Sequence, residues 1–149
     1  MMRSYSSVMA DDEIDAIRAL LLARPRPDEL SQRRKRLDDL GALYKMSTDV
    51  RIESVEANGV RAEWSSTPHA DPTCVILFLH GGGYVSGSLA SHRLLATEIG
   101  RVCGARTLAL DYRLAPEYPF PAAVRDVLDG YRFLLSCGID ARHIRVAGD

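Results

Sequence analysis

Three short and almost unbroken apolar runs, Cys74–His80, Arg106–Tyr112 and His143–Ala147, are separated by two stretches of helical periodicity, Ser91–Cys103 and Ala122–Cys137. A strand with one wet face alternates apolar and polar residues. A run that is apolar at nearly every position needs cover on both faces, which parallel strands joined by crossover helices supply. Each helical stretch is followed by a glycine, Gly104 and Gly138, suited to the left-handed residue that closes a helix. Upstream, Val50–Ala57 and Val60–Trp64 flank Asn58-Gly59, a pair whose tolerance of positive φ marks a two-residue hairpin turn. The expected architecture is α/β: an N-terminal antiparallel hairpin leading into a doubly wound, mostly parallel sheet.

The first 45 residues have a different texture. Asp11–Ala23 places Ile14, Ile17, Leu21 and Leu22 near helical spacing, and Arg24-Pro25-Arg26-Pro27 interrupts it. A second helix is predicted from Asp28, as N-cap, to Lys45, with Leu30, Leu37, Leu40 and Tyr44 as its apolar stripe. Its Arg33-Arg34-Lys35-Arg36 run has the composition of a nucleic-acid patch. Asp38 and Asp39, however, stand at i+4 from Arg34 and Lys35, and that spacing predicts a self-paired, solvated face instead.

Composition narrows the function classes. The 149 residues suit about one domain, and a formal net charge of -1 gives no field to steer the chain onto nucleic acid. Cys74, Cys103 and Cys137 form an odd, scattered set without metal-ligand spacing, so no disulfide framework or zinc site is expected, and buried thiols are. No apolar segment near the N-terminus resembles a secretory signal, and the longest apolar stretch, Cys74–Leu79, is too short to cross a bilayer. The expectation is a cytoplasmic protein without stable membrane insertion, with homodimerisation left open.

Chemistry concentrates where the first apolar run ends. His80 is followed at once by Gly81, Gly82 and Gly83, then Tyr84. Glycines reach conformations closed to other residues and let a ligand approach the main chain. Successive N–H groups aimed into one space can hold a developing oxyanion. A Walker-type phosphate loop would need Gly-Lys-Ser/Thr, which is missing here. A dinucleotide fingerprint could use Gly81, Gly83 and Gly87 with Asp111 as ribose partner, although its last spacing is one residue too long. A bland flexible turn is the third alternative. A rigid loop follows the next strand, with Pro116, Pro119 and Pro121, and it is a plausible buttress for the glycines. Its charged residues Asp111, Arg113 and Glu117 are expected to pair locally.

Together, HGGGY at His80–Tyr84, DYRLAPEYPFPAA at Asp111–Ala123 and the closing Ala147-Gly148-Asp149 resemble the hormone-sensitive-lipase branch of the α/β-hydrolases. The likeness covers roughly Tyr44–Asp149, and the preceding helices resemble that branch's cap, which divides the chain into a cap segment, 1–45, and half of a catalytic domain, 46–149. Tyr84 departs from the commoner Phe or Trp and is expected at the substrate pocket.

The resemblance implies an α/β-hydrolase fold and a serine carboxylesterase acting on small esters of short-to-medium acyl groups, without metal or organic cofactor. Gly82 and Gly83 would donate two oxyanion hydrogen bonds, Gly81 would shape the turn, and His80 would orient the loop. Gly148 and Asp149 match the first two positions of the nucleophile elbow, so the residue after Asp149 would be the nucleophile. The other triad members would lie further on. The chain is expected to stop there because that serine is chemically modified, a true fragment being the alternative. His69, His92 and His143 are expected at the surface or at helix ends. Two other functions stay open: a non-catalytic small-molecule receptor of the same fold, and a nucleotide-cofactor oxidoreductase.

Overall fold

The computed structural model describes residues 14–16, 18–19, 22–23 and 26–149. Strands β1 (Arg51–Ala57) and β2 (Val60–Ser66) form the hairpin, and Asn58 and Gly59 turn it with φ of 52° and 88°. Both central residues are left-handed, the twist that lets a two-residue loop join right-twisted strands. Then follow β3 (Asp71–Leu79), α2 (Leu89–Cys103), β4 (Ala105–Leu110), α3 (Ala122–Ser136) and β5 (Ile144–Gly148), with α1 (Leu30–Ala42) preceding the hairpin. The sheet order is β1-β2-β4-β3-β5, with β3 parallel to both β4 and β5 and the hairpin antiparallel to β4.

That order explains how the helices are placed. The chain steps from β3 sideways to β4, then back across β3 to β5. Right-handed crossovers made in opposite directions put their helices on opposite faces. Register confirms it: Leu77 lies opposite Leu108, and Phe78 opposite Ala109. The Leu77/Leu108/Leu110 side meets α3, where Gly130 is needed because a Cβ would come within 2.6 Å of Leu110. The alternate side meets α2, where the Thr107 hydroxyl donates to the Ala96 carbonyl at 3.2 Å. Leu77, Leu108, Leu110 and Leu134 are fully buried, and each contributes about 1.5–3 kcal/mol of transfer free energy.

Several expectations are corrected. Strand β3 begins at Asp71, three residues ahead of the apolar run expected from Cys74. Strand β5 stands last in the sheet order, with Ile144 buried and Arg145 and Val146 exposed. The cysteines are free, with Cys103 and Cys137 exposed and Cys74 half-buried, rather than core thiols. The expected Asp11–Ala23 helix falls partly outside the described residues; within it 14–16, 18–19 and 22–23 are helical.

Helix α1 differs most. It starts at Leu30, because the extended residue at its threshold is Glu29, and no side chain caps it, so Asp28 is not the N-cap. Its predicted apolar stripe meets the body only in part: Leu30 and Leu37 are half-buried, whereas Leu40 is 40% and Tyr44 64% exposed. The inward stripe is Arg34, Asp38 and Gly41, at i, i+4 and i+7. Gly41 lies so close to α2 that a Cβ there would sit 2.4 Å from the Ala90 carbonyl oxygen. Backbone proximity and polar contacts, not apolar burial, fix this helix.

Candidate active site

Strand β3 delivers the chain into the glycine loop at the carboxyl end of the sheet. Gly82, Gly83 and Tyr84 take φ of 125°, 63° and 62° in succession, and Gly87 takes 91°. Only Tyr84 among them has a side chain, and a left-handed L-residue costs roughly 1–2 kcal/mol. The Val85 and Ser86 N–H groups and the Ser86 hydroxyl all converge on the Gly82 carbonyl, which closes the loop on itself. Among the described residues, none accepts a hydrogen bond from the Gly82 or Gly83 N–H. Two of these glycines are required by space as well as by φ. A Cβ on Gly82 would lie 2.2 Å from the Ser86 carbonyl oxygen, and one on Gly87 would lie 2.2 Å from that of Gly81. Gly83 faces open space.

Gly81 connects the ends of two parallel strands. Its N–H donates to Asp149 Oδ1 at 2.9 Å, and a Cβ there would stand 2.7 Å from Oδ2 of the same side chain. That contact, rather than an unusual φ, is what excludes a larger residue. His92 Nε2 lies 3.2 Å from Asp149 Oδ2 and Nδ1 lies 2.8 Å from the Ser91 hydroxyl. His92 stands in the first turn of α2, at a helix end as expected, but its side chain is largely buried and faces the end of β5. The spacing from Ser88 that aims it there is a helical one, but only the tertiary fold reveals its partner. His69 and His143 are exposed, as expected.

His80 is 4% exposed, its ring stacked on Tyr112 at 4.3 Å. The Gly81 carbonyl can only accept, so His80 Nδ1 donates to it at 3.0 Å. Nε2 is left buried without a partner among the described residues. Burial holds the His80 pKa below its ordinary value, against the opposing Gly81 carbonyl bond, so the ring is neutral near pH 7. Tyr112, whose hydroxyl donates to the His80 carbonyl, has its pKa pushed up to about 12 by burial. Tyr112 is a member of this site that sequence reading did not single out. A cleft of about 530 Å³ opens beside these groups, lined by His80, Gly81, Gly83, Tyr84, Tyr112 and Asp149, with Val124, Leu128 and Val146 on its apolar side.

The proline-rich loop packs against the glycine loop through the Ala115 N–H, which donates to the Tyr84 carbonyl at 2.8 Å. Its charged residues do not pair with one another as expected. Asp111 meets Arg61 on β2, Arg113 meets buried Asp126 on α3 at 2.7 Å, and Glu117 meets Arg34 on α1 at 2.7 Å. Lys35 pairs with Asp39 as the i+4 spacing predicts, but Arg34 does not pair with Asp38. Asp38 instead accepts from the Ser88 hydroxyl. The dinucleotide reading loses its parts here. Gly87 packs against His80 ahead of a helix capped by Ser88, and the Asp111 carboxylate is taken by Arg61.

A family described by the α/β-hydrolase fold matches residues 76–149. A crystal structure of an esterase from the bacterial hormone-sensitive lipase family superposes with a TM-score of 0.81 at 42% identity, covering 85% of this chain and 43% of that one. The chain belongs to the α/β-hydrolase family, in its hormone-sensitive-lipase-like branch. Among similar hydrolases, an acetyl-hydrolase of Streptomyces hygroscopicus is 36% identical over 143 residues, 95% of this chain and 48% of the relative. An ethyl acetate hydrolase of Pseudomonas putida is 44% identical over 109 residues, 68% of this chain and 34% of the relative. The chain thus spans less than half the length of the curated relatives it matches. Among its described residues, no helix is long and apolar enough to cross a membrane, and no three His, Cys, Asp or Glu side chains cluster as metal ligands.

Proposed function

We propose that the whole protein is a serine carboxylesterase of small esters with short-to-medium acyl groups, and that this chain supplies its oxyanion loop and cap. The observation that carries the proposal is the pair of Gly82 and Gly83 N–H groups, which have no acceptor among the described residues, in a loop whose Gly81 N–H binds Asp149 and whose Gly83 lines the same cleft as Asp149. In this reading, a serine following Asp149 attacks the ester carbonyl. The oxygen that becomes negative in the tetrahedral intermediate accepts from those two amides, which need no reorganisation because the loop already holds them. Gly81 and Asp149 fix the distance between loop and elbow, His80 braces the loop, and Tyr84 lines the substrate pocket. The residues before Met46 form the cap. The reading draws on the ester-hydrolase names of its relatives together with the cleft at the loop.

The test is turnover of p-nitrophenyl butyrate by the whole protein, with and without a serine-directed sulfonyl fluoride. Hydrolysis abolished by the reagent is expected. Binding of the ester without turnover would instead identify a receptor. Gly83→Ala sharpens the assignment, because its Cβ meets nothing within 4 Å while the φ of 63° is strained for alanine, so the local backbone shifts without a packing clash. The protein should stay folded while the displaced amide lowers kcat about 10²–10³-fold.

A further inference from the structure

Three consecutive positive-φ residues, one of them a tyrosine, do not hold their shape unaided, and the bonds from Val85 and Ser86 that close the loop all end on Gly82. What holds the far side of Tyr84 comes from α1. Arg34 Nε donates to the Val85 carbonyl at 2.8 Å, and Nη2 donates to the Ala115 carbonyl at 2.9 Å. Ala115 in turn donates its N–H to the Tyr84 carbonyl. One planar guanidinium therefore closes a ring of hydrogen bonds around the strained residue and joins the glycine loop to the proline-rich loop. Glu117 grips the same guanidinium with both carboxylate oxygens, at 2.7 and 2.8 Å. Four residues further along the same face, Asp38 takes the Ser88 hydroxyl, so α1 holds the loop near both its middle and its end.

We propose that Arg34 is a positioning residue of the ester-hydrolysis site, a latch through which the cap helix sets the geometry of the Gly82–Tyr84 turn. This rests on the esterase reading above. Arg34 touches no reacting atom and acts through Val85 and Ala115. An ordinary surface ion pair would be worth little, because Glu117 is half exposed. The latch matters because an amide displaced by even an ångström loses its alignment with the oxyanion. Lysine cannot replace it, since a point charge lacks the fork that reaches two carbonyls and a carboxylate together.

The experiment compares the whole protein with Arg34→Ala, Arg34→Lys and Glu117→Gln, using Lys35→Ala, which breaks only an exposed pair, as control. Steady-state hydrolysis of p-nitrophenyl butyrate, thermal melting, and amide hydrogen exchange over residues 84–86 are read together. Arg34→Ala should lower kcat about ten- to a hundredfold with KM within about twofold, and should speed exchange at Val85 and Ser86. Arg34→Lys should fail to rescue. Glu117→Gln, which keeps both carbonyl bonds, should cost about two- to fivefold. An unchanged kcat in Arg34→Ala, a loss falling wholly on KM, or rescue by lysine would overturn the latch. If Arg34→Ala does not fold, Glu117→Gln and Arg34→Lys decide by the same criteria. A wild-type protein without turnover would sink the esterase reading instead; exchange at Val85 and Ser86 would then decide the latch, faster exchange upholding it and unchanged exchange ending it.

Discussion

The two faces of the sheet are built on different chemistry. Beneath α3 the packed side chains are Val75, Leu77, Leu108, Leu110 and Leu134, all apolar and nearly free of solvent. Beneath α2 the buried positions include Glu63, Ser65, Thr97 and Thr107, with His80 at the end of the row. Glu63 is bidentate to Arg93, at 2.7 and 2.9 Å, and Ser65 shares a hydroxyl bond with Thr107. Apolar packing is non-directional and supplies stability. Hydrogen bonds inside a low-dielectric layer are directional and fix geometry, at the risk of a large penalty when one partner is lost. The candidate site hangs from the polar side through His80 and His92. Polar bonds thus concentrate beneath α2, interleaved with buried Ile76 and Phe78, while beneath α3 the apolar packing is interrupted by buried Asp126, which pairs with Arg113.

If that division holds, the largest loss should come from the apolar face. Leu108→Ala should destabilise the whole protein by about 2.7–5 kcal/mol, read from the urea midpoint, while the surviving folded fraction keeps its kcat. A glycine at the margin of the polar face should cost nearly as much in stability but more in function. In Gly87→Ala the new methyl would lie 2.2 Å from the Gly81 carbonyl and 2.3 Å from His80 Nδ1, at a φ of 91°. Overpacking and backbone strain together predict about 2–4 kcal/mol, with kcat falling in the folded fraction as well. If kcat followed stability equally in both variants, the distinction between the faces would be empty.

The same contrast governs what could be read from the sequence. The hairpin, the crossover strands and the glycine-closed helix ends were legible because each depends on local rules: Asn58-Gly59 for the turn, unbroken apolar runs for β3 and β4, Gly104 and Gly138 for the stops. The glycine loop was legible for the same reason. Partners across the fold were not. Arg34 had an acidic residue at the favoured i+4 spacing, yet its carboxylate lies 83 residues away in Glu117. Helix α1 carried both an apolar stripe and a charged one, and nothing local says that a glycine-sized gap at Gly41 brings the polar stripe against α2. His92 and Tyr112 gave no signal, because their roles arise where strand ends meet.

A smaller effect probes the hydroxyl pair in the polar layer. Ser65→Ala alone leaves Thr107 with only the 3.2 Å bond to Ala96, and should cost about 1–3 kcal/mol. Removing both hydroxyls, as Ser65→Ala with Thr107→Val, should cost less than the sum of the two single changes, since neither partner is then left unsatisfied. Strict additivity in the urea midpoints would show that the two hydroxyls act independently.

The smallest predicted effect is a matter of pH and belongs to His80. Its folded pKa is depressed, chiefly by burial, below the 6.5 of an unperturbed histidine. The unfolded chain therefore takes up a proton at a pH where the folded one does not. The stabilisation is complete above the unfolded value and is lost as pH falls through the folded one, with a slope of at most about 1.4 kcal/mol per pH unit from one proton. Asn in place of His80 can still donate to the Gly81 carbonyl but cannot titrate. Its urea midpoint should accordingly lose less than the wild type's between pH 7.5 and 5.5, an interval set about the ordinary histidine value. Parallel decline in the two proteins would mean that His80 takes up its proton alike in the folded and the unfolded chain. Burial against Tyr112 would then impose no penalty on the charged ring, and a neutral imidazole would no longer be what braces the glycine loop.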